Sequence, residues 1–212
     1  MTTRRTFLTM SAAALAAPAL PERAAAQTYP SRQIRAMVPF AAGSSLDIVG
    51  RIVMDPLSRQ LGQTIVIENR GGAGGTIGTA SVVKAEPDGH TLLIQAAAHS
   101  AAPAAYPNLV YDPVRDFSGV IPFGTIPNVT VVHPGRGFKT VQDLVAAAKK
   151  SGQFTYGSAG VGSATHWAAE RLRLSGAFEA THVPFKGGPE ALTEVMAGRS
   201  TSLAWGRRPR CR

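Results

Sequence analysis

The sequence predicts an α/β fold built on doubly wound, parallel sheets. Alternating apolar and polar residues give way to helical spacing and back again several times along the chain, the pattern of successive β and α units. Three glycine-rich stretches each follow a predicted strand and open a predicted helix: Ala41 to Asp47 (AAGSSLD), Gly71 to Gly78 (GGAGGTIG) and Gly157 to His166 (GSAGVGSATH). Such loops fall at the carboxyl ends of strands, where open α/β sheets bind ligands. Free N–H groups and the positive dipole end at a helix start attract anions. None of the three loops contains Lys or Arg. Together they point to a pocket that holds a small carboxylate through main-chain donors, a binding site more readily than a catalytic one.

The elements follow in order. Ile34, Ala36, Val38 and Phe40 alternate with Arg35, Met37 and Pro39 as in a strand. Ile48, Val49, Ile52, Val53, Leu57 and Leu61 keep helical spacing, with Pro56 expected to kink or break the run. Thr64 to Glu68 reads as a strand, Gly75 to Ala85 as a helix, Pro87-Asp88-Gly89 as a turn and Thr91 to Ala96 as a third strand. Val120 to Phe123 and Asn128 to His133 are two more. Thr140 and Asp143 have capping-box spacing ahead of a helix carrying Val141, Leu144, Val145 and Ala148. Phe154 to Tyr156 is a short strand into the third loop, and Ser163 can cap a helix with Ala164, Trp167, Ala168 and Leu172. Thr181 to Phe185 is a strand and Pro189 to Ala197 a helix.

The ends of the chain differ from its middle. Met1 to Ala26 reads as an export signal, with Arg4 and Arg5 ahead of an apolar run from Phe7 to Leu20 and small residues Ala24-Ala25-Ala26 at the cleavage site. The string Thr3-Arg4-Arg5-Thr6-Phe7-Leu8 resembles a twin-arginine signal; an ordinary secretory signal with two adjacent arginines is the alternative. Either reading places the mature protein in the periplasm. The net charge of +9 is concentrated at the termini, because residues 27–198 hold 14 basic and 12 acidic side chains, a net of +2. That balance, with no basic cluster interleaved with aromatics, excludes a nucleic-acid partner. The single cysteine, Cys211, excludes disulfides and a cysteine-based metal site.

Motifs for other chemistries are absent. The second and third loops each fail G-x-G-x-x-G at its last position, and no G-x-x-x-x-G-K-[ST] occurs. Ser44, Ser45, Ser158 and Ser163 lack G-x-S-x-G framing. His90, His99, His133 and His182 are scattered without the spacing of a zinc site. No cofactor or metal is implied. Two roles stay open for Asp47: facing a ligand, or completing a capping box with Ser44. His166, in the first turn of its helix, is either a pocket residue or a surface histidine. The alternative from another class is an exported α/β hydrolase using Ser158 or Ser163 with His166.

The ordered series Tyr29-Pro30-Ser31-Arg32, Val38-Pro39-Phe40-x-Ala42-Gly43, Asp47-Ile48-Val49, Leu61-Gly62-Gln63 and Glu68 to Gly75 (ENRGGAGG) resembles the Bug (TctC-like) family, solute receptors of tripartite tricarboxylate transport systems. The likeness continues through Pro87 to Leu93 (PDGHTLL), Tyr111 to Phe117 (YDPVRDF), Pro127-Asn128-Val129, Tyr156 to Gly160 (YGSAG), His166 and His182 to Gly187 (HVPFKG). The resemblance implies a type II periplasmic binding protein, a Venus flytrap of two doubly wound lobes. Lobe 1 would span 27–125 and a partial lobe 2 126–199. The implied ligand is a small organic carboxylate and the implied partners are the membrane permease subunits. Carried onto this chain, the site comprises Ala41, Gly43, Ser44, Ser45 and Asp47; Gly74, Gly75 and Thr76; Ala98, His99 and Ser100; and Ser158, Ala159, Gly160, Gly162, Ser163 and His166.

The chain departs from the family pattern in three places. Leu46 stands where the family has a threonine, Ser44 and Ser45 where it has more glycine, and Gly71 where it has a proline. Beyond Arg199 the resemblance ends, and residues 200–212 read as an Arg-rich tail without strand alternation. The expectation is a C-terminally truncated copy, its second lobe and return crossing incomplete and its solute affinity weak or absent.

Overall fold

The computed structural model describes residues 28–200 together with the backbone of Ser202–Gly206. The export signal read in Met1–Ala26 lies outside the described residues, as do residues 207–212. From Arg32 onward the chain clusters as one unit, which carries every element below.

The first sheet has three parallel strands in the order β2 (Ile65–Asn69), β1 (Ile34–Val38), β3 (Thr91–Leu93). Central β1 is buried at every position except Arg35, whose guanidinium forms a two-pronged pair with Glu68 of β2 at 2.8 Å per bond. Helix α1 (Ser45–Leu61) packs Met54, with Val53 and Leu57, onto Ala36 and Val38. It starts at Ser44, whose hydroxyl accepts the Asp47 N–H, and stops at Gly62, which adopts the left-handed conformation a helix terminus favours (φ 64°). Pro56, expected to kink or break the run, does not break it. One backbone bond is forfeited there, but the flanking turns keep their apolar face on the sheet. A single turn at Ala73–Gly75 leads into α2 (Thr76–Val83), and α3 (Ala98–Ala105) follows β3.

The second sheet runs β4 (Asn128–Val132), β7 (Ser202–Gly206), β5 (Thr155–Ser158), β6 (Thr181–Pro184). β5 is parallel to both its neighbours, but β4 pairs antiparallel with β7, so this sheet is mixed rather than wholly parallel. Helix α4 (Val141–Ser151) begins with the expected capping box: Asp143 N–H donates to the Thr140 hydroxyl and Thr140 N–H to the Asp143 carboxylate. Its Leu144 and Ala148 meet Phe154 and Phe178, whose rings pack edge to face at 5.9 Å. Helix α5 (Ala164–Gly176) follows β5, and α6 (Gly188–Met196) buries Ala191 and Val195.

Two expectations are corrected here. Val120–Phe123 is not a strand: residues 118–127 carry no regular structure, and Val120 and Ile121 are exposed. The short apolar run there has no neighbouring strand to pair with among the described residues, and Pro122 removes a backbone donor. Conversely, Ser202–Gly206, read as part of a polar tail, forms β7. Five residues suffice for a strand when both edges are hydrogen-bonded, and β7 is paired on both sides. Among the described residues no helix is long and apolar enough to cross a membrane.

Leu144→Ala should cost about 2–5 kcal/mol in urea unfolding, because it empties a site inside the second core. Val141→Ala, one turn away but half exposed, should change the midpoint little.

Candidate functional site

All three glycine-rich loops come together. Gly74 of the second loop lies so close to the third that a β-carbon on it would collide with the Val161 carbonyl oxygen. The same carbonyl accepts a 2.9 Å bond from the Tyr106 hydroxyl. Gly74 also sits in the left-handed region (φ 61°), so both space and conformation call for glycine. The first loop reaches the turn before α6, where Ala41 abuts Gly187 and Gly43 faces Pro189.

The first loop is shaped by one carboxylate. Asp47, 3 % exposed, accepts the Gly43 N–H at 2.8 Å, the Asn69 amide at 3.0 Å and an Arg51 ion pair at 2.9 Å. Burial works to raise its pKa, but the bonds from Arg51, Gly43 and Asn69 outweigh it and hold the group below the usual carboxylate range. Asp47 thereby holds the first loop, a role that neither of its two sequence readings gave it. A capping interaction with Ser44 is present, although the carboxylate turns to Gly43 rather than back to the cap residue.

Beside these loops opens a cavity of about 570 Å³. Four helix starts border it: Ser44 and Ser45 at α1, Ala97 and Ala98 at α3, Ser163, Ala164 and Thr165 at α5, and Gly188 at α6. Ser163 caps α5 by accepting the His166 N–H at 3.2 Å, and the Thr165 hydroxyl accepts the Ala159 N–H at 2.9 Å. The remaining walls are Phe40, Leu46 and Val49, the stretch Leu93–Ala96, Ala159, and the irregular segment Ile121–Ile126 with Asn128. Among the described residues that line it there is no Asp, Glu, Lys, Arg or His. A helix N-terminus carries roughly half a positive charge, so several of them bordering one space suit an anionic ligand.

The predicted site residues divide accordingly. Ser44, Ser45, Ala98, Ala159 and Ser163 line the cavity. Ala41, Gly43, Gly74, Gly75 and Gly160 lie instead in the contacts that join the loops or brace them. The Thr76 hydroxyl is turned to the Ala73 carbonyl, and that of Ser100 to the Ala97 carbonyl. His99 bonds the Pro113 carbonyl at 2.9 Å and packs against Tyr111 and Phe117. Gly162 packs on Ala105 and Tyr106, and its N–H donates to the His166 ring. Phe40, Gln95, Thr165 and Ile121–Ile126 line the cavity without having been foreseen. Only Thr165 carried a signal, its place inside the third glycine loop.

Behind the third loop sits an aromatic stack. The His166 and His182 rings are 4.3 Å apart, and the Tyr156 ring lies 4.9 Å from His182. The Tyr156 hydroxyl donates to Glu170, which is paired with Arg173 at 3.0 Å. Burial pushes His182 down to about 4, helped by the neighbouring His166; burial lowers His166 as well. The Ser158 hydroxyl meets His182 Nε2 at 2.6 Å, so the expected pairing of a serine with His166 is corrected to one with His182. His166 itself meets Ser163 only through its backbone N–H. Ser158 is fully buried and its hydroxyl also engages Gly160.

Comparison with known proteins places this geometry. The profile described as the tripartite tricarboxylate transporter family receptor matches residues 49–206. A UPF0065 protein of Agrobacterium vitis, from the TAR-I ttuE-ttuC' intergenic region, is 41 % identical over 187 residues, which are 87 % of this chain and 54 % of that protein. The structure of periplasmic binding protein BugD superposes with a TM-score of 0.75 at 32 % identity over 84 % of this chain and 60 % of that one. MatC of Rhodopseudomonas palustris, solved with bound malate, gives a TM-score of 0.80 at 31 % identity over 84 % of this chain and 61 % of MatC. The chain thus spans little more than half the length of the curated relatives it matches.

Two outcomes are expected. Gly74→Ala should lower stability by about 1–3 kcal/mol in a thermal melt, since the residue cannot keep both its conformation and its contact. Between the ordinary histidine value of 6.5 and about 4, the unfolded chain binds a proton that folded His182 refuses. Stability should therefore be full above about 6.5 and fall as the pH drops toward 4. His182→Gln should flatten melting temperature against pH across that window.

Proposed function

The chain belongs to the tripartite tricarboxylate transporter receptor family, and from that membership we propose that it captures a small organic carboxylate in the periplasm and delivers it to membrane permease subunits. The observation that carries this reading is the set of helix N-termini, α1, α3, α5 and α6, bordering one cavity with no charged side chain among its described lining residues. Backbone N–H groups and the hydroxyls of Ser45, Ser163 and Thr165 offer donors to a carboxylate, and the summed dipoles balance its charge. MatC, a relative of the same fold, is described with malate bound, which supports an organic acid as the solute class.

In this reading the three-stranded sheet belongs to lobe 1, residues 27–125, and the four-stranded sheet to lobe 2, residues 126–199 with β7 added. The solute sits between them. Ala41, Gly43, Asp47, Gly74 and Gly160 serve the site indirectly, by holding the loops that aim the helix starts. Binding rather than turnover is the activity in this reading, which is supported by the burial of Ser158, the serine that meets a histidine ring.

Isothermal titration of the mature chain at neutral pH with a panel of organic acids tests this. At least one acid should give saturable heat, and Ser163→Ala should weaken it about tenfold by removing a lining hydroxyl and the α5 cap. Absence of heat with every acid, from protein that melts cooperatively, would overturn the proposal.

A further inference from the structure

We infer that His166 is a proton-operated latch on the third loop, whose neutral ring holds Gly162 against Tyr106 and whose protonated ring releases that loop and the solute with it; this rests on the carboxylate-receptor reading and adds its regulation. Gly162 is gripped on both sides by the first turn of α5. Its N–H donates to His166 Nδ1 at 3.2 Å, and its carbonyl accepts the Trp167 indole N–H at 3.1 Å. A backbone N–H can only donate, so Nδ1 is bare and the neutral ring carries its proton on Nε2. Held in this way, Gly162 lies against the end of α3, where a β-carbon on it would come within 3.0 Å of Ala105 and 3.2 Å of the Tyr106 ring. The next residue, Ser163, caps α5 and lines the cavity. His166 therefore reaches back from the third position of its helix much as the acid of a capping box does, but with an acceptor that one proton abolishes.

The surroundings give a charged ring poor lodging. Among the described residues, the titratable groups facing His166 are His182 of β6, Tyr156 of β5 and Glu170 one turn along α5. His182 stacks on it at 4.3 Å and bonds the Ser158 hydroxyl. Glu170 is shared between Arg173 and the Tyr156 hydroxyl. Burial lowers the His166 pKa from the ordinary 6.5, against the pull of Glu170. A proton on Nδ1 sets two donors face to face, Nδ1–H and the Gly162 N–H, and leaves both without an acceptor in that contact. The latched state thus binds fewer protons than the released one. Affinity for the solute is full above about 6.5 and falls as the pH drops below it.

Isothermal titration with malate, adipate and citrate at about pH 7.5 and about pH 5.5 tests this. For an acid that binds at the higher pH, the loss of affinity on acidification should be at least about fivefold greater in the wild-type chain than in His166→Asn, whose amide oxygen offers Gly162 an acceptor that no proton removes. Comparing the two chains cancels the ionisation of the acids themselves. His166→Ala, with no acceptor, should bind weakly at both pH values. Equal losses in wild type and His166→Asn would overturn the latch. A pH dependence abolished by His182→Gln but kept in His166→Asn would overturn the assignment to His166. Should His166→Asn fail to melt cooperatively, the Trp167 indole N–H resonance of the wild-type chain decides: it should shift across the same pH interval as its bond to Gly162 is lost, and a static resonance would overturn the latch. No heat with any of the three acids at the higher pH would overturn the carboxylate reading and this inference with it.

Discussion

The approach of Gly74 to the Val161 carbonyl is the contact on which the rest of the arrangement depends. It brings a loop from the three-stranded sheet against a loop from the four-stranded one with no side chain between them. Tyr106 adds a hydroxyl to the same carbonyl, and Gly162 lies on the Tyr106 ring. With those backbones joined, the starts of α1 and α5 border a common cavity; farther apart, each would be an isolated weak anion site. The glycine content of the second loop is therefore explained by packing as much as by donors to a ligand.

Asp47 plays a comparable part within the first sheet. A buried carboxylate is costly unless its lone pairs are filled, and here the Gly43 amide, Asn69 and Arg51 fill them. Asn69 closes the ring by bonding the Phe40 carbonyl from the end of β2. The loop before α1 is thus fixed by protein groups alone. A preformed loop spends less ordering entropy when a solute arrives.

Much of this was legible in the sequence, and the limits are instructive. Strands with β-branched alternation, such as Ile65–Asn69, and the Thr140/Asp143 box are local signals and emerged within a residue or two of expectation. The three loops were found as a set because glycine and hydroxyl residues marked them. What escaped depends on partners distant in sequence. Val120–Phe123 has strand-like composition but nothing to pair with, whereas Ser202–Gly206 looks poor as a strand yet is flanked on both edges. Ser158 was paired in expectation with His166, eight residues on. The geometry of parallel β5 and β6 instead places Tyr156 opposite His182 and brings the latter's ring to Ser158. The cavity walls were hidden for the same reason, since Gln95 and Ile121 carry no motif, Phe40 read only as the end of a strand, and the three line one space only in three dimensions.

The position of β7 has a bearing on how the molecule is made. Among the described residues it is the last strand in sequence, yet it lies in the interior of its sheet, between β4 and β5. A growing polypeptide therefore reaches residue 200 with a slot in that sheet still empty. β4 must wait some seventy residues of synthesis for the neighbour it is bonded to. Long-range pairing of that kind slows folding and leaves edges uncovered meanwhile. The second half of the molecule is thus the part a chaperone would be expected to shelter.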